Sequence, residues 1–505
     1  MFNIIKYKAN QSNATKDVAE ATSRGAIYLT VGNWLLRMLG LISVLIVARI
    51  LTPEDFGVAA MAVSVIALTE SFVWLGLFAT LIQHQNPTRK HYDTVWTLNL
   101  LLHLFITIAV FLLAPFAADY YNEPRIQGTL QVLALAPLLR GLANVGVVNF
   151  RRDMRFDWEV GYRLSVRIFS FIVGITAAII LRDYRALIIG MLFQSIGMLI
   201  MSYILHPYRP KFCLELWREF IHFSIWSSIN GFATALATQS SRIAVGRYGG
   251  TSNSGFYSVA EDIVRIFTVE FSSSMSTSLL SGASLIKNDV SRMNLAKIKS
   301  ASAVSIVVAP LGFGLAATAQ DTIFVLLGEQ WLSSGAILEV LAIAWMFKSI
   351  SMFASPFLFA EGRVKAMALL SVTHAALFIF SLYLYVDSLS SIAVAYLFLW
   401  TTVLLLILTF ITVVKMQASL LVMLIYSSCR PLLVASCMYL VVKFLHGSVF
   451  IDPMPSLVFD VTIGASIYTL LLLFFWNVTG RSVGAERAIL DQLKKGFRLI
   501  SYKNK

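Results

Sequence analysis

From residue 25 to residue 480 the chain is a succession of about fourteen apolar stretches of roughly 20 residues, separated by short polar runs. About 20 residues of helix cross a hydrocarbon core of about 30 Å. The pattern therefore predicts spans over 26–48, 58–78, 95–118, 126–148, 160–181, 186–205, 220–246, 256–286, 298–320, 335–359, 366–386, 390–414, 421–445 and 456–479. Lipid admits only helices and closed barrels. Barrel strands alternate polar and apolar over about ten residues, and runs such as 403–414 do not alternate. The expected fold class is an all-α polytopic membrane protein, with loops too short to hold a soluble catalytic domain.

Residues 206–219 form the longest link on one side and follow the sixth span, which suggests two six-helix lobes. The expected organisation is a cytoplasmic segment 1–24, an N-lobe 25–205, a linker 206–219, a C-lobe 220–415, two further helices within 416–480, and a basic amphipathic tail 481–505 on the inner leaflet. An internal repeat supports the division. At an offset of 198 residues, Val47, Arg49, Gly57 and Ala62 fall on Val245, Arg247, Gly255 and Ala260. Each block joins the first two helices of its half. An even number of helices separates the blocks, so the halves would be parallel repeats, as in transporters that rock one bundle against another.

Composition agrees: 58% of residues are hydrophobic and only 13% charged. The net charge of +13 raises nucleic acid as a partner, but its distribution argues against that. With the amino terminus inside, the tails and alternate loops on that side hold about 26 Lys/Arg, including Arg89, Arg151, Arg209, Lys297 and Arg363, against roughly six opposite. The asymmetry is the positive-inside pattern and predicts an inner-membrane protein with both termini cytoplasmic. The three cysteines and seven histidines show neither a disulfide framework nor a metal spacing, and no cleavable signal peptide is evident. No phosphate-binding glycine loop, nucleophile set or cofactor fingerprint can be assembled. The expectation is a protein without catalytic residues, cofactor or metal.

Chemistry is then sought among charges inside the spans, which are expensive there and usually mark a pathway. Arg37 sits near the middle of the first span, and Glu70 lies at nearly the same depth in the second. The pair admits two readings, a structural ion pair or a ligand-facing Arg37, compatible if substrate breaks the pair. Arg242 lies late in the seventh span, and Glu261, Asp262, Arg265 and Glu270 lie in the eighth. Asp262 and Glu261 are three and four residues from Arg265 and can neutralise it on one helix face. Arg140, Arg163, Arg167, Lys348 and Arg430 add cations, with Arg163 and Arg167 placed to snorkel toward the cytoplasmic interface. Cations outnumber anions, and guanidinium groups grip phosphate oxygens bidentately. Candidate substrate ligands are Arg37, Arg265, Arg242, Arg140 and Lys348; candidates for ion coupling or pairing are Glu70, Asp262 and Glu270.

Three stretches resemble hallmarks of bacterial polysaccharide transporters, the Wzx-type flippases of the multidrug/oligosaccharidyl-lipid/polysaccharide exporter superfamily. They are Ala48-Arg-Ile-Leu-Thr-Pro-Glu-Asp-Phe-Gly57, Gly250-Thr-Ser-Asn-Ser-Gly-Phe-Tyr-Ser-Val-Ala260 and Leu326-Leu-Gly-Glu-Gln-Trp331. Within that family the chain resembles the subgroup that includes the colanic-acid-type and other exopolysaccharide or lipopolysaccharide translocases. The resemblance implies two six-helix lobes around a cationic cavity that opens alternately to each side. The implied cargo is an oligosaccharide on undecaprenyl diphosphate for exopolysaccharide or lipopolysaccharide synthesis, with membrane lipids and a polysaccharide polymerase as further partners. It also implies arginines of the first and eighth helices, here Arg37 and Arg265, on the diphosphate. Pro53, Gly57, Gly255 and Tyr257 belong to the hallmark loops. Pro53 and Gly57 favour a tight turn, and Glu54 and Asp55 suit the following helix N-terminus, a structural role before a gating one. The alternatives are a cation-coupled multidrug exporter, which wants an acidic pocket, and a membrane glycan polymerase, which wants a large periplasmic loop.

Overall fold

The computed structural model describes residues 28, 31–71, 77–84, 86–221, 225–286, 288–415, 417–446 and 452–478. The predicted segments 1–24 and 481–505 lie outside the described residues, as does the side chain of Glu270. No strand occurs among the described residues. The chain divides into two compact units, Met1–Ser228 and Ile229–Lys505.

In the first unit the helices are α1 (Val31–Ile50), α2 (Pro53–Ser71), α3 (Leu77–Gln83), α4 (Arg89–Tyr121), α5 (Arg125–Leu133), α6 (Leu135–Gly141), α7 (Val148–Arg152), α8 (Phe156–Leu181), α9 (Arg185–Leu205) and α10 (Trp217–Ile221). The second unit holds α11 (Ile225–Leu285) from Ile229 onward, α12 (Val290–Ala317), α13 (Ala319–Leu327), α14 (Ser333–Ser351), α15 (Ala354–Ala360), α16 (Val364–Leu384), α17 (Ser391–Val413), α18 (Ala418–Leu445) and α19 (Pro453–Val478). Among the described residues 10 helices are long and apolar enough to cross a membrane, or 11 with the pair Arg125–Gly141 and Val145–Arg152, which is bent by 62°. The chain is thus a multi-pass helical membrane protein. The remaining predicted spans fall on α2 and the two arms of α11, helices that carry Glu54, Asp55 and Glu70, or Arg242, Glu261, Asp262 and Arg265. They are not among the helices long and apolar enough to cross, since they carry these charges and, in α11, many Ser and Thr residues.

The span expected over 126–148 is not one helix. Asn144 interrupts it: the side-chain oxygen accepts from Gly146 N–H at 2.9 Å, and the amide donates to the carbonyls of His206 and Tyr208 at 3.2 and 2.6 Å. Residues 206–216 are fastened to the first unit. Tyr208 Oη and the Lys211 N–H donate to Asp93, and the Cys213 N–H donates to Thr97 Oγ1 at 3.0 Å. Around them Leu81, Val95, Trp96, Val145 and Phe220 form an apolar cluster.

The core of the second unit centres on α14, the most enclosed of its long helices. Met346, Ile350, Phe353, Phe357, Phe410 and Leu424 pack together there. Gly312 lets α12 approach: a Cβ on it would meet that of Met346 at 2.5 Å. Lys297 had been counted among cytoplasmic loop cations, but α12 begins at Val290 and buries it. Nζ donates to Glu361 Oε1 at 2.5 Å and to the Val413 carbonyl at 3.2 Å, so this lysine ties three elements together.

Three of the four repeat pairs agree in burial, whereas Arg49 is exposed and Arg247 half-buried. Val47 and Val245, Gly57 and Gly255, and Ala62 and Ala260 are all buried. The chain leaves helical geometry at Leu51 and Thr52 in the first block. In the second block the break falls at Gly250, the position 198 residues on from Thr52, with φ 77° and ψ −175°.

Candidate functional site

The hallmark stretches make contacts with several neighbouring elements. Pro53 opens α2, where its missing N–H is not required. Thr52 and Asp55 cap that helix reciprocally: Asp55 Oδ2 accepts from Thr52 N–H at 3.0 Å and from Thr52 Oγ1 at 2.6 Å, while Asp55 N–H donates to Thr52 Oγ1 at 3.3 Å. Asp55 Oδ1 also accepts from the Tyr184 N–H at 3.0 Å, and Glu54 takes Arg125 at 2.5 Å, so one short motif holds the helix ends at 125 and 184. The second and third hallmarks meet: Phe256 stands edge-on to Trp331 at 6.0 Å, and Trp331 is fully buried. Tyr257 is fully buried on α11 beside Gly255.

Among the described residues, the candidate charges expected inside the spans of the first unit fall into two sets. Glu70 on α2 accepts from Arg140 on α6, a partner other than the Arg37 that one of the two readings gave it. The pair lines a cavity of about 180 Å³ with Gln194, Ser195 and Met198 of α9. The second set lies along one face of α1. Asn33 accepts from Arg163 at 3.2 Å, and Arg167 Nη2 lies 2.9 Å from where a Cβ on Gly40 would be. Positions 33, 37 and 40 repeat at the helical spacing, so Arg37 stands on the same face, between the points where two arginines of α8 reach α1. Arg167 donates to Gln194 Oε1 of α9 at 3.4 Å, with Gly40 leaving it room against α1.

In the second unit Arg242 is buried and clamped. Nε donates to Glu261 Oε2 at 2.5 Å and Nη2 to Asp262 Oδ1 at 2.7 Å. Both carboxylates therefore go to the preceding arm of α11, where Arg242 neutralises them, and not to Arg265 as the three- and four-residue spacings had suggested. Arg265 instead lies over the Trp345 ring at 5.2 Å. Lys348 approaches the same ring at 4.6 Å and Phe398 at 5.1 Å, donating to Thr238 Oγ1 at 3.2 Å. Aromatic faces attract cations more strongly when desolvated. Trp345 thus gathers two of the predicted cations, and a third, Arg242, neutralises the neighbouring carboxylates. A separate groove of about 570 Å³, lined by Ile229, Phe232, Leu236, Val372, Ile379 and Tyr383, offers apolar surface and no charge.

The comparisons with known proteins point one way. The family model described as polysaccharide biosynthesis protein matches residues 46–336. The chain is 24% identical over 373 residues to the lipopolysaccharide biosynthesis protein WzxC of Escherichia coli (strain K12), covering 71% of this chain and 74% of that protein. It is 24% identical over 459 residues to the succinoglycan biosynthesis transport protein ExoT of Rhizobium meliloti (strain 1021), covering 90% and 92%. Among solved structures, the lipid II flippase MurJ in an inward closed conformation superposes with a TM-score of 0.74 at 15% identity, over 90% of this chain and 99% of that one. An inward-facing multidrug resistance transporter of the MATE family gives 0.58 at 14%, over 78% and 98%. These two share the fold.

Proposed function

Because the chain belongs to the polysaccharide biosynthesis protein family, we propose that it carries a lipid-diphosphate-linked oligosaccharide across the bacterial inner membrane by alternating access. The observation that carries this reading is the arginine face of α1. Arg37 shares that face with the contact points of Arg163 and Arg167. Three guanidinium groups at one stretch of a membrane helix suit a diphosphate, whose oxygens accept paired N–H donors. Arg265 and Lys348 supply a second cationic set at Trp345, whose ring can also stack on a sugar. Arg242, neutralised by Glu261 and Asp262, holds the two arms of α11 together and leaves the ligand set. Arg140 and Glu70 form a pair at a cavity, where a coupling proton or sodium ion would compete for the carboxylate.

WzxC, ExoT and MurJ, by their names, serve lipopolysaccharide, succinoglycan and lipid II. Their likeness supports a glycan carrier over a drug exporter, as does the surplus of arginine over carboxylate within the spans. Both termini are assigned to the cytoplasm from the distribution of Lys and Arg. The organisation into lobes 25–205 and 220–415, with α18 and α19 appended within 416–480, is part of the proposal, as is a polymerase partner. The test is reconstitution in vesicles with a lipid-diphosphate-linked oligosaccharide. Protein-dependent movement of the glycan to the other leaflet, lost in Arg37→Ala with the fold retained, is the expected result. Absence of movement under imposed proton and sodium gradients would turn the assignment toward drug export.

A further inference from the structure

Three side chains far apart in the sequence converge in the second unit, away from the charges described above. Asp321 lies in the first turn of α13, His446 follows α18, and Asp460 lies on α19. His446 Nδ1 is 2.8 Å from Asp460 Oδ2 and 3.9 Å from Asp321 Oδ2, and one ligand atom from each residue falls within 4.8 Å of the others. Asp321 is 9% exposed and Asp460 2%, and neither has a Lys or Arg partner among the described residues. Asp321 Oδ2 is buried without a hydrogen-bond partner and aimed at the imidazole from beyond hydrogen-bond reach. The helix N-terminus accounts for a carboxylate in the first turn of α13. It does not account for an orphaned oxygen turned toward a second buried carboxylate.

We infer that Asp321, His446 and Asp460 form a divalent-metal site for a first-row cation such as Zn²⁺, joining α13, α18 and α19. Two carboxylate oxygens and one imidazole nitrogen are ligands that zinc accepts at about 2.0–2.2 Å, which places neighbouring tetrahedral ligands about 3.3 Å apart. The separations of 2.8 and 3.9 Å bracket that value. His446 is exposed, which gives the ion a way in and leaves room for a water as fourth ligand. A divalent charge neutralises both aspartates together, which one imidazolium does not. Sequence spacing had shown no metal cluster because the three ligands are 125 and 14 residues apart in the chain.

The full chain, purified in detergent and stripped with a chelator, is titrated with Zn²⁺ alone at about pH 7.5, since protons compete with a metal for its ligands. Calorimetry should show one equivalent bound per chain, with a raised melting temperature. Asp321→Asn preserves the shape of the site and His446→Gln preserves a donor toward Asp460. Both should fold and bind Zn²⁺ at least tenfold more weakly. No saturable binding by the unaltered chain, or equal affinity in both variants, would overturn the site. Stabilisation that appears only on acidification and needs no metal would assign the cluster to a protonated His446 shared by two carboxylates, and would overturn it as well.

Discussion

Gly40 and Arg167 share one space. The guanidinium of Arg167 rests on α1 where any other residue at 40 would place its Cβ, at 2.9 Å from Nη2. The contact is with the far end of a flexible side chain, so a bulkier residue displaces the guanidinium without forcing the backbones apart. Gly40→Leu is expected to leave stability within about 1 kcal/mol and to slow glycan translocation about tenfold, as Arg167→Ala should. A charge-assisted hydrogen bond is worth about 1.5–3 kcal/mol. Vesicle transport and thermal unfolding of the two variants, measured side by side, check both halves. Full transport in Gly40→Leu would take Arg167 out of the site.

Arg242 is expected to matter for stability before transport. Its removal strands Glu261, which is 0% exposed, and breaking a buried pair from one side costs about 3–5 kcal/mol. Arg242→Ala should therefore unfold well below the unaltered protein. Combining it with Glu261→Gln should recover part of the loss, because no buried carboxylate is left uncompensated. A double-mutant cycle on melting temperature tests this, and additive losses would contradict it.

Gly250→Ala is expected to destabilise by about 1–3 kcal/mol although a Cβ there meets nothing within 4 Å. The loss comes from the backbone, since φ 77° with ψ −175° is a region essentially reserved for glycine. Gly128→Ala, also in open space but helical, should be neutral or slightly stabilising. Denaturation of both variants separates strain from packing.

Glu361, in the turn after α15, gives a pH dependence. Burial raises its pKa, but Lys297, with Lys415 and Arg363, more than offsets that, and the net position lies below the ordinary 4.5. A carboxylate depressed in the folded state contributes stability above its unfolded pKa, and that contribution is lost as pH falls through the folded value. The melting temperature of the unaltered protein should thus fall as pH drops below about 4.5, more steeply than that of Glu361→Gln. Parallel curves would remove Glu361 from the acid response.

The membrane class was legible from the chain because a hydrocarbon core demands long apolar runs whatever their neighbours. Caps and breaks were legible in part for the same local reason. Thr52, Pro53 and Asp55 shape the start of α2 through contacts within four residues. Which charges meet was not legible. Arg37 and Glu70 share a depth, yet Glu70 takes Arg140 from 70 residues away. Arg265 has carboxylates three and four residues off, yet Arg242 takes them across the Gly250 break. Depth along a helix follows from counting residues, whereas the face a side chain presents to another helix depends on helix rotation and crossing. Those are settled only when the whole apolar surface packs. The convergence of Asp321, His446 and Asp460 belongs to that second kind of information: each is an isolated polar residue in the sequence, and only the packing of α13 and α18 against α19 turns them into one site.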